Sequence, residues 1–257
     1  MMRKITLMVA CAALALSACG SMGWTGGPSE ADRLAEVRAA LAEPPRTDED
    51  RARDAVRMTA ETVAFARVGP GDRVIDLMIG GGFFTRAFSA AVGPDGQVIA
   101  WQPDEFVAFS ADYGAALAAA DALPNVTGVG SAIGTPQWPT GVDVIFTAQN
   151  YHDLHLDAFP DGTAARVNAA AFEALKPGGY YVIIDHAAVA GADASVADSL
   201  HRIDRDQVVR EVTAAGFVLD GRSDALMRAA DPMTANVFEP SIRGQTSQFM
   251  LRFRKPG

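Results

Sequence analysis

Cysteine is almost missing from this chain: of 257 residues only Cys11 and Cys19 carry a thiol, and both lie near the N-terminus. The rest of the chain therefore has no disulfide, no thiol nucleophile and no thiolate metal site. Basic residues are also in deficit, with 22 Lys and Arg against 31 Asp and Glu and a formal charge of -9. Such a surface repels phosphate backbones, so no nucleic-acid partner is expected. Long hydrophobic runs are lacking as well. The N-terminal apolar stretch from Ile5 to Ala18 is shorter than the ~20 residues that cross a bilayer. There is no internal repeat, and the length suits one domain with a large core.

What the N-terminus does contain is two basic residues, Arg3 and Lys4, then the apolar stretch, then small residues. That is the layout of a secretory signal. Leu16-Ser17-Ala18-Cys19 resembles the lipobox of bacterial lipoproteins, in which the cysteine is lipid-modified; an ordinary cleavable signal with a chance cysteine is the alternative. The resemblance implies a signal over 1–18, a lipid anchor on Cys19 and a place in the bacterial cell envelope. Gly20 in the next position implies the outer membrane by similarity to known sorting rules. Residues 19–46 are expected to be a tether and a short helix, beginning with the glycine-rich GSMGWTGGP. Trp24 belongs to that tether or to a membrane interface.

Ser29 to Ala42 predicts a helix with Leu34, Val37 and Leu41 on one face, ended by Pro44-Pro45. A second, stronger helix is predicted from the Thr47 cap, with a stripe of Ala52, Ala55, Val56, Thr59 and Val63, up to Gly69. From there strand-like runs alternate with helical stretches: VIDLMI at 74–79, VIAW at 98–101, VTGV at 126–129, VDVIFTA at 142–148 and YYVIID at 180–185. Apolar strands alternating with helices predict an α/β fold with a parallel sheet covered on both faces. Ligands bind such sheets outside the carboxyl ends of the strands.

The first strand is followed by Gly80, Gly81 and Gly82. Glycine there permits a tight turn and a close approach of ligand to backbone. Gly80 and Gly82 fit the start of a dinucleotide fingerprint, but Thr85 fills its third position, which argues against a bound pyrophosphate. A plain structural turn is the alternative. Gln102 stands where a ribose-binding acid would be expected.

The succession VIDLMIGGGFFT, VIAWQPDEF, VDVIFTAQNYHDLH, LKPGGYYVIIDH and EVTAAGFVL resembles the motifs of class I S-adenosylmethionine-dependent methyltransferases. It is particularly similar to a group of exported members with a GGG turn and an NYHDLH segment. The resemblance spans 47–255 and implies a methyltransferase-like domain over 47–257. The implied fold is a Rossmann-like seven-stranded sheet, mostly parallel, with SQFMLRF as an antiparallel last strand. It also implies S-adenosylmethionine as cofactor and a small-molecule methyl acceptor. Asp76, Gly80, Gly81, Gly82, Gln102 and Asn150 are the implied cofactor residues; Asp76 alternatively pairs with Arg73 or Arg86. The chain departs from the pattern at Met78, Gln102 and Ser131-Ala132, and Asp104 is a possible substitute for a missing acid.

Three of the four histidines, His152, His155 and His186, fall at the ends of the fourth and fifth strands. A hydroxyl acceptor must lose its proton as it is methylated, and histidine titrates in the right range to take it. His152 is the expected catalytic base, in a His152-Asp153 pair similar to that of some small-molecule O-methyltransferases, and Tyr151 is expected beside it. A metal site is the other chemistry open to these residues: His152 and His155 on one face of a turn, with Asp185 or His186. His201 is a surface cap or lies over the acceptor side. The polar loop 231–248, with Phe238 and Arg243, is expected to shape the acceptor pocket. The rival to an enzyme is an exported binding protein on a degenerate methyltransferase fold.

Overall fold

The computed structural model describes residues 29–257. The expected signal, the Cys19 anchor and the spacer through Pro28 lie outside the described residues. No helix among the described residues is long and apolar enough to cross a membrane.

Helix α1 (Glu30–Leu41) begins with a capping box, in which Ser29 and Asp32 each satisfy the other's backbone amide. Its Val37 and Leu41 are buried in the same cluster as Val63, Val68, Ala87 and Phe88. The helix is thus packed onto the domain.

The second helix is not continuous. It breaks into α2 (Asp48–Ala52), α3 (Asp54–Arg57) and α4 (Thr59–Phe65), and Met58 at the last break has a left-handed φ of 45°. Ala52 and Val56 of the expected buried stripe are exposed, Ala55 is exposed with them, and only the later members Thr59 and Val63 are buried. The reason is tertiary. The breaks let Arg53 and Arg57 lie over the Phe83 ring, at 5.1 and 4.7 Å from its centroid. Asp50 meanwhile turns to Arg86, whose Nε and Nη2 both donate to it at 2.6 Å. Burial alone would raise the Asp50 carboxyl, but Arg86 and the Thr47 cap outweigh it and hold it at about 2.

The sheet contains β1 (Arg73–Leu77), β2 (Gln97–Pro103), β3 (Val126–Ser131), β4 (Val142–Ala148), β5 (Leu175–His186), β6 (Val218–Ser223) and β7 (Gln248–Arg254). Their order is β3-β2-β1-β4-β5-β7-β6. The β1 to β5 pairings are parallel, and β7 runs antiparallel between β5 and β6. Both faces are covered, so alternate residues of one strand enter different cores: Val74 and Val144 one, Ile75 and Ile145 the other. This explains why the strands read as continuous apolar runs. Lys176-Pro177-Gly178-Gly179 lies within β5 as an irregularity between its pairings Val142 with Leu175 and Val144 with Tyr180. The chain winds outward in one direction from β1 through β2 to β3 and in the other from β4, which places a crevice at the carboxyl ends of β1 and β4.

The return from β6 to β7 is a long loop fixed by one buried ion pair. Arg202 donates to Asp231 through Nη1 and Nη2 at 2.8 and 2.9 Å, and Asp231 also accepts from the Ser247 amide. Removing one partner strands a buried charge. Asp231→Ala is therefore expected to lower the unfolding free energy by about 3–5 kcal/mol, measured by urea denaturation; a loss within experimental error would show the loop is held otherwise.

Candidate functional site

At the end of β1 the backbone turns through left-handed conformations at Met78 (φ 60°), Gly80 (φ 54°) and Gly82 (φ 74°). Met78 stands where the family resemblance places a glycine, and it keeps a glycine-like conformation, at roughly 1–2 kcal/mol. Gly80 and Gly81 line the cleft, and a Cβ built on either meets no protein atom within 4 Å. Gly82 does not line it. It is the N-cap of α5 (Phe83–Val92), where a Cβ would press on Arg86 at 3.1 Å.

Gln102 also departs from expectation. It is buried behind the turn, where its Oε1 accepts the Gly80 amide at 3.1 Å. A turn leaves backbone amides free, and this side chain satisfies one of them from the neighbouring strand. Its own Nε2 is buried without a partner. The acid nearer the cleft is Glu105, at the start of α6 (Asp104–Phe109), which accepts the Ile133 amide at 2.9 Å; Asp104 is not part of the lining.

Asp76 lies on the α5 side of β1, at the base of the cleft, and accepts the Thr85 hydroxyl at 2.6 Å. It pairs with neither Arg73 nor Arg86: Arg86 is taken by Asp50, and Arg73 bonds the Thr140 carbonyl. Burial pushes its carboxyl up to about 7, against the pull of Thr85, Arg57 and Arg86. Arg57 is itself lowered to about 10 by burial and by Arg53, and its Nη2 donates to Gln149 at 3.2 Å. It remains a cation at the cleft wall.

At the ends of β4 and β5 lies a compact polar group. Asn150 donates to the carbonyls of Met78 and Ala148, both at 2.9 Å, and so ties the glycine turn to β4. His152 opens a 3-10 turn (His152–His155). Its backbone amide donates to Asp185 Oδ2 at 2.6 Å, and its Nδ1 lies 2.8 Å from Asp185 Oδ1. Its Nε2 faces Asp153 at 3.3 Å. Burial opposes the imidazolium, yet Asp185 and Asp153 together raise it from 6.5 to about 9. His152, expected as the base, therefore already holds its proton at neutral pH. Burial raises Asp153 to about 6 although His152 draws it down. His186 differs again: burial lowers it to about 4, and its Nδ1 lies 2.8 Å from the Thr246 hydroxyl.

Two expected members face elsewhere. Tyr151 is buried in the core below, its hydroxyl donating to Glu211 at 2.9 Å and accepting from Asn168 at 2.8 Å. His155 Nε2 lies 3.1 Å from the same Glu211. His152 and His155 thus point to different neighbours, which removes the pairing that the alternative metal site required. His201 lies beside His152 instead, with its ring 5.5 Å from that of His152 and edge-on to Phe238 at 4.9 Å.

Together these residues surround a cleft of about 900 Å³, enough for a cofactor-sized ligand and a small second molecule. Phe106, Tyr113 and Phe159 form an aromatic wall. Val237 and Phe238 contribute from the loop expected to shape the pocket, whereas Arg243 stands over Phe238 outside the lining. Sequence reasoning missed Arg53, Arg57, Glu105 and Phe106. Their available signals were the i, i+4 arginines in the helical stretch ahead of α4 and the acid-aromatic pair just after β2.

No protein-family model and no curated protein matches the chain. Solved structures do. A chain named as a methyltransferase, in complex with the Haloferax volcanii Trm112 methyltransferase activator, aligns over 88% of this chain and 98% of its own at 14% identity, with a TM-score of 0.57. A SAM dependent methyltransferase from Aquifex aeolicus aligns over 86% and 97% at 18% identity, TM-score 0.54. The [4+2]-cyclase SpnF aligns over 79% and 81% at 19% identity, TM-score 0.52. The chain therefore has the class I methyltransferase fold, a fold that also carries a cyclase.

The histidines give a direct check by proton NMR. One imidazole is expected to titrate near 9, His152, and another near 4, His186. Because His152 is raised on folding, its stabilisation is complete below 6.5 and is lost as pH rises through about 9. Asp185→Asn should bring the His152 titration down and flatten that pH dependence of stability. A His152 resonance titrating at its ordinary value in the wild type would contradict the Asp185 pairing.

Proposed function

We propose that the chain is an S-adenosylmethionine-dependent methyltransferase acting on an oxygen of a small molecule, exported and anchored through a lipid on Cys19. The observation that supports it most is the coincidence of the class I methyltransferase fold with a cleft whose glycine wall, buried acid and polar group all lie at the carboxyl ends of β1, β4 and β5. The residues fit the cofactor. Gly80 and Gly81 leave open the space that side chains would fill. Asp76 offers a carboxylate to a cationic ammonium or sulfonium, and Arg57 offers a guanidinium to a carboxylate. Glu105 suits a hydroxyl-bearing ring beyond β2. When bound, the cofactor would supply an electrophilic methyl group for transfer to the acceptor oxygen.

The remaining chemistry is the chain's own. Positioning by the cleft walls provides most of the rate, since an in-line attack needs alignment above all. The His152 imidazolium, fixed by Asp185, lowers the pKa of an acceptor hydroxyl nearby and holds the oxygen as it becomes negative. Asp153, pushed to about 6, is the better matched group to take the proton at neutral pH. The aromatic wall favours a planar or apolar acceptor body.

Calorimetric titration of the purified full chain with S-adenosylmethionine should give micromolar binding. Gly81→Val, whose side chain would enter the cleft without positive-φ strain, should abolish it, while His152→Ala should keep binding and lose methyl transfer by roughly 100-fold or more. A folded chain that produces no heat up to millimolar cofactor sinks this reading.

The export reading is supported by Arg3, Lys4, the apolar Ile5–Ala18 stretch and the lipobox-like LSAC at 16–19. Expressed in a bacterium, the wild type should fractionate with membranes and Cys19→Ala should move to the soluble fraction. A Cys19→Ala variant that remains membrane-bound would overturn the lipid anchor.

A further inference from the structure

We propose that His152, Asp153 and His201 form a site for one divalent transition-metal ion, open to the cleft on its remaining side. These ligands are separate from the glycine turn that would hold the cofactor. Each of the three residues offers one ligand atom, and these atoms all lie within 4.8 Å of one another. Ligands ~2.1 Å from a tetrahedral ion stand about 3.4 Å apart. His152 Nε2 and Asp153 Oδ1 are already at 3.3 Å. Only the His201 side must close, and His201 is a half-buried residue just after the short helix α7 (Val196–Leu200), with a left-handed φ of 53°.

The surroundings direct His152 Nε2 toward this group and engage the neighbouring imidazoles His186 and His155 elsewhere. Asp185 engages Nδ1 of His152 at 2.8 Å and so directs Nε2 into the cleft, the carboxylate-imidazole relay that commonly backs a metal-bound histidine. Both Asp185 oxygens are occupied by the His152 and His186 amides and by Nδ1. His186 Nδ1 is engaged by Thr246, and His155 by Glu211. Three protein ligands with an open side are the pattern of a site that binds a substrate oxygen, rather than of a closed structural site. Two imidazoles and one carboxylate favour Zn²⁺, Co²⁺, Fe²⁺ or Mn²⁺ over Mg²⁺ or Ca²⁺. An ion held there would take the place of the proton between His152 and Asp153 and would polarise a hydroxyl or carbonyl oxygen of a molecule in the cleft.

The test is titration of the chelator-stripped full chain with Co²⁺, followed by its visible absorption, with Zn²⁺ as competitor. One equivalent should bind. His201→Ala and Asp153→Asn should each weaken binding at least about tenfold, Asp185→Asn by about 10–100-fold, and His155→Ala should leave it unchanged. His201 is half-buried on a short segment, so its variant keeps the test valid if Asp153→Asn fails to fold. Equal Co²⁺ affinity in wild type and His201→Ala, or no uptake up to millimolar ion by folded protein, overturns the proposal. S-adenosylmethionine titration of the same samples separates the two readings. Cofactor binding without Co²⁺ uptake rejects the metal site and spares methyl transfer, and Co²⁺ bound at these ligands without cofactor binding does the reverse.

Discussion

The arrangement of the site depends on one buried carboxylate. Asp185, at the end of β5, is fully enclosed; burial alone would raise it, but His152 and the amides around it hold it below the usual carboxylate range. An interior charge is tolerated only when it is paired and hydrogen-bonded. Asp185 meets that demand with the backbone amides of His152 and His186 and with the His152 ring. In doing so it fastens the turn after β4 to the end of β5 and sets the orientation of an imidazole. Were it neutral, the His152 ring would have no reason to present Nε2 to the cleft.

The same carboxylate accounts for the difference between two neighbouring histidines. His152 and His186 have ring centroids 6.1 Å apart and are both buried. His152 gains a charged partner and stays protonated; His186 faces a hydroxyl, feels the nearby cations of His152 and Arg202, and stays neutral. The acids divide in the same way. Asp50, gripped by a guanidinium, is held at about 2, whereas Asp76, with only a hydroxyl in contact, is pushed to about 7. Groups of one chemical type are thus set to different protonation states within one domain, which is how a cleft comes to hold both proton donors and acceptors near neutral pH.

The strands are legible in the sequence because a sheet covered on both faces demands unbroken apolar runs, and VIDLMI and VDVIFTA are too short and too rich in β-branched residues to be buried helices. The cleft lining is legible only where it lies in or directly after those strands, as at Asp76, Gly80, Gly81, Asn150, His152 and Asp153. Tyr151 and His155 escape a sequence reading because one short 3-10 turn sends successive side chains to opposite sides, the core and the cleft, and no periodicity in six residues reveals which. His201 reaches His152 from a distant segment, so nothing local marks it. Arg57 is hidden because the helix carrying it reads as continuous; its break at Met58 goes with the packing of the arginines on Phe83 and of Asp50 on Arg86, both on an α5 that lies far along the chain.

The cleft also divides by origin. One side is built from the N-terminal half: the broken helix with Arg53 and Arg57, the glycine turn, Asp76 and the α6 acid-aromatic pair. The other is built from the ends of β4 and β5, the segment through Asp198 and His201, and the loop that Arg202 and Asp231 fix in place. The first side is made largely of backbone turns and charges that suit a zwitterionic, cationic ligand. The second is made of titratable rings and long loops that can vary without disturbing the sheet. In this chain His152, Asp153 and His201 all stand on that second side, and Asp185 fixes the orientation of the first of them.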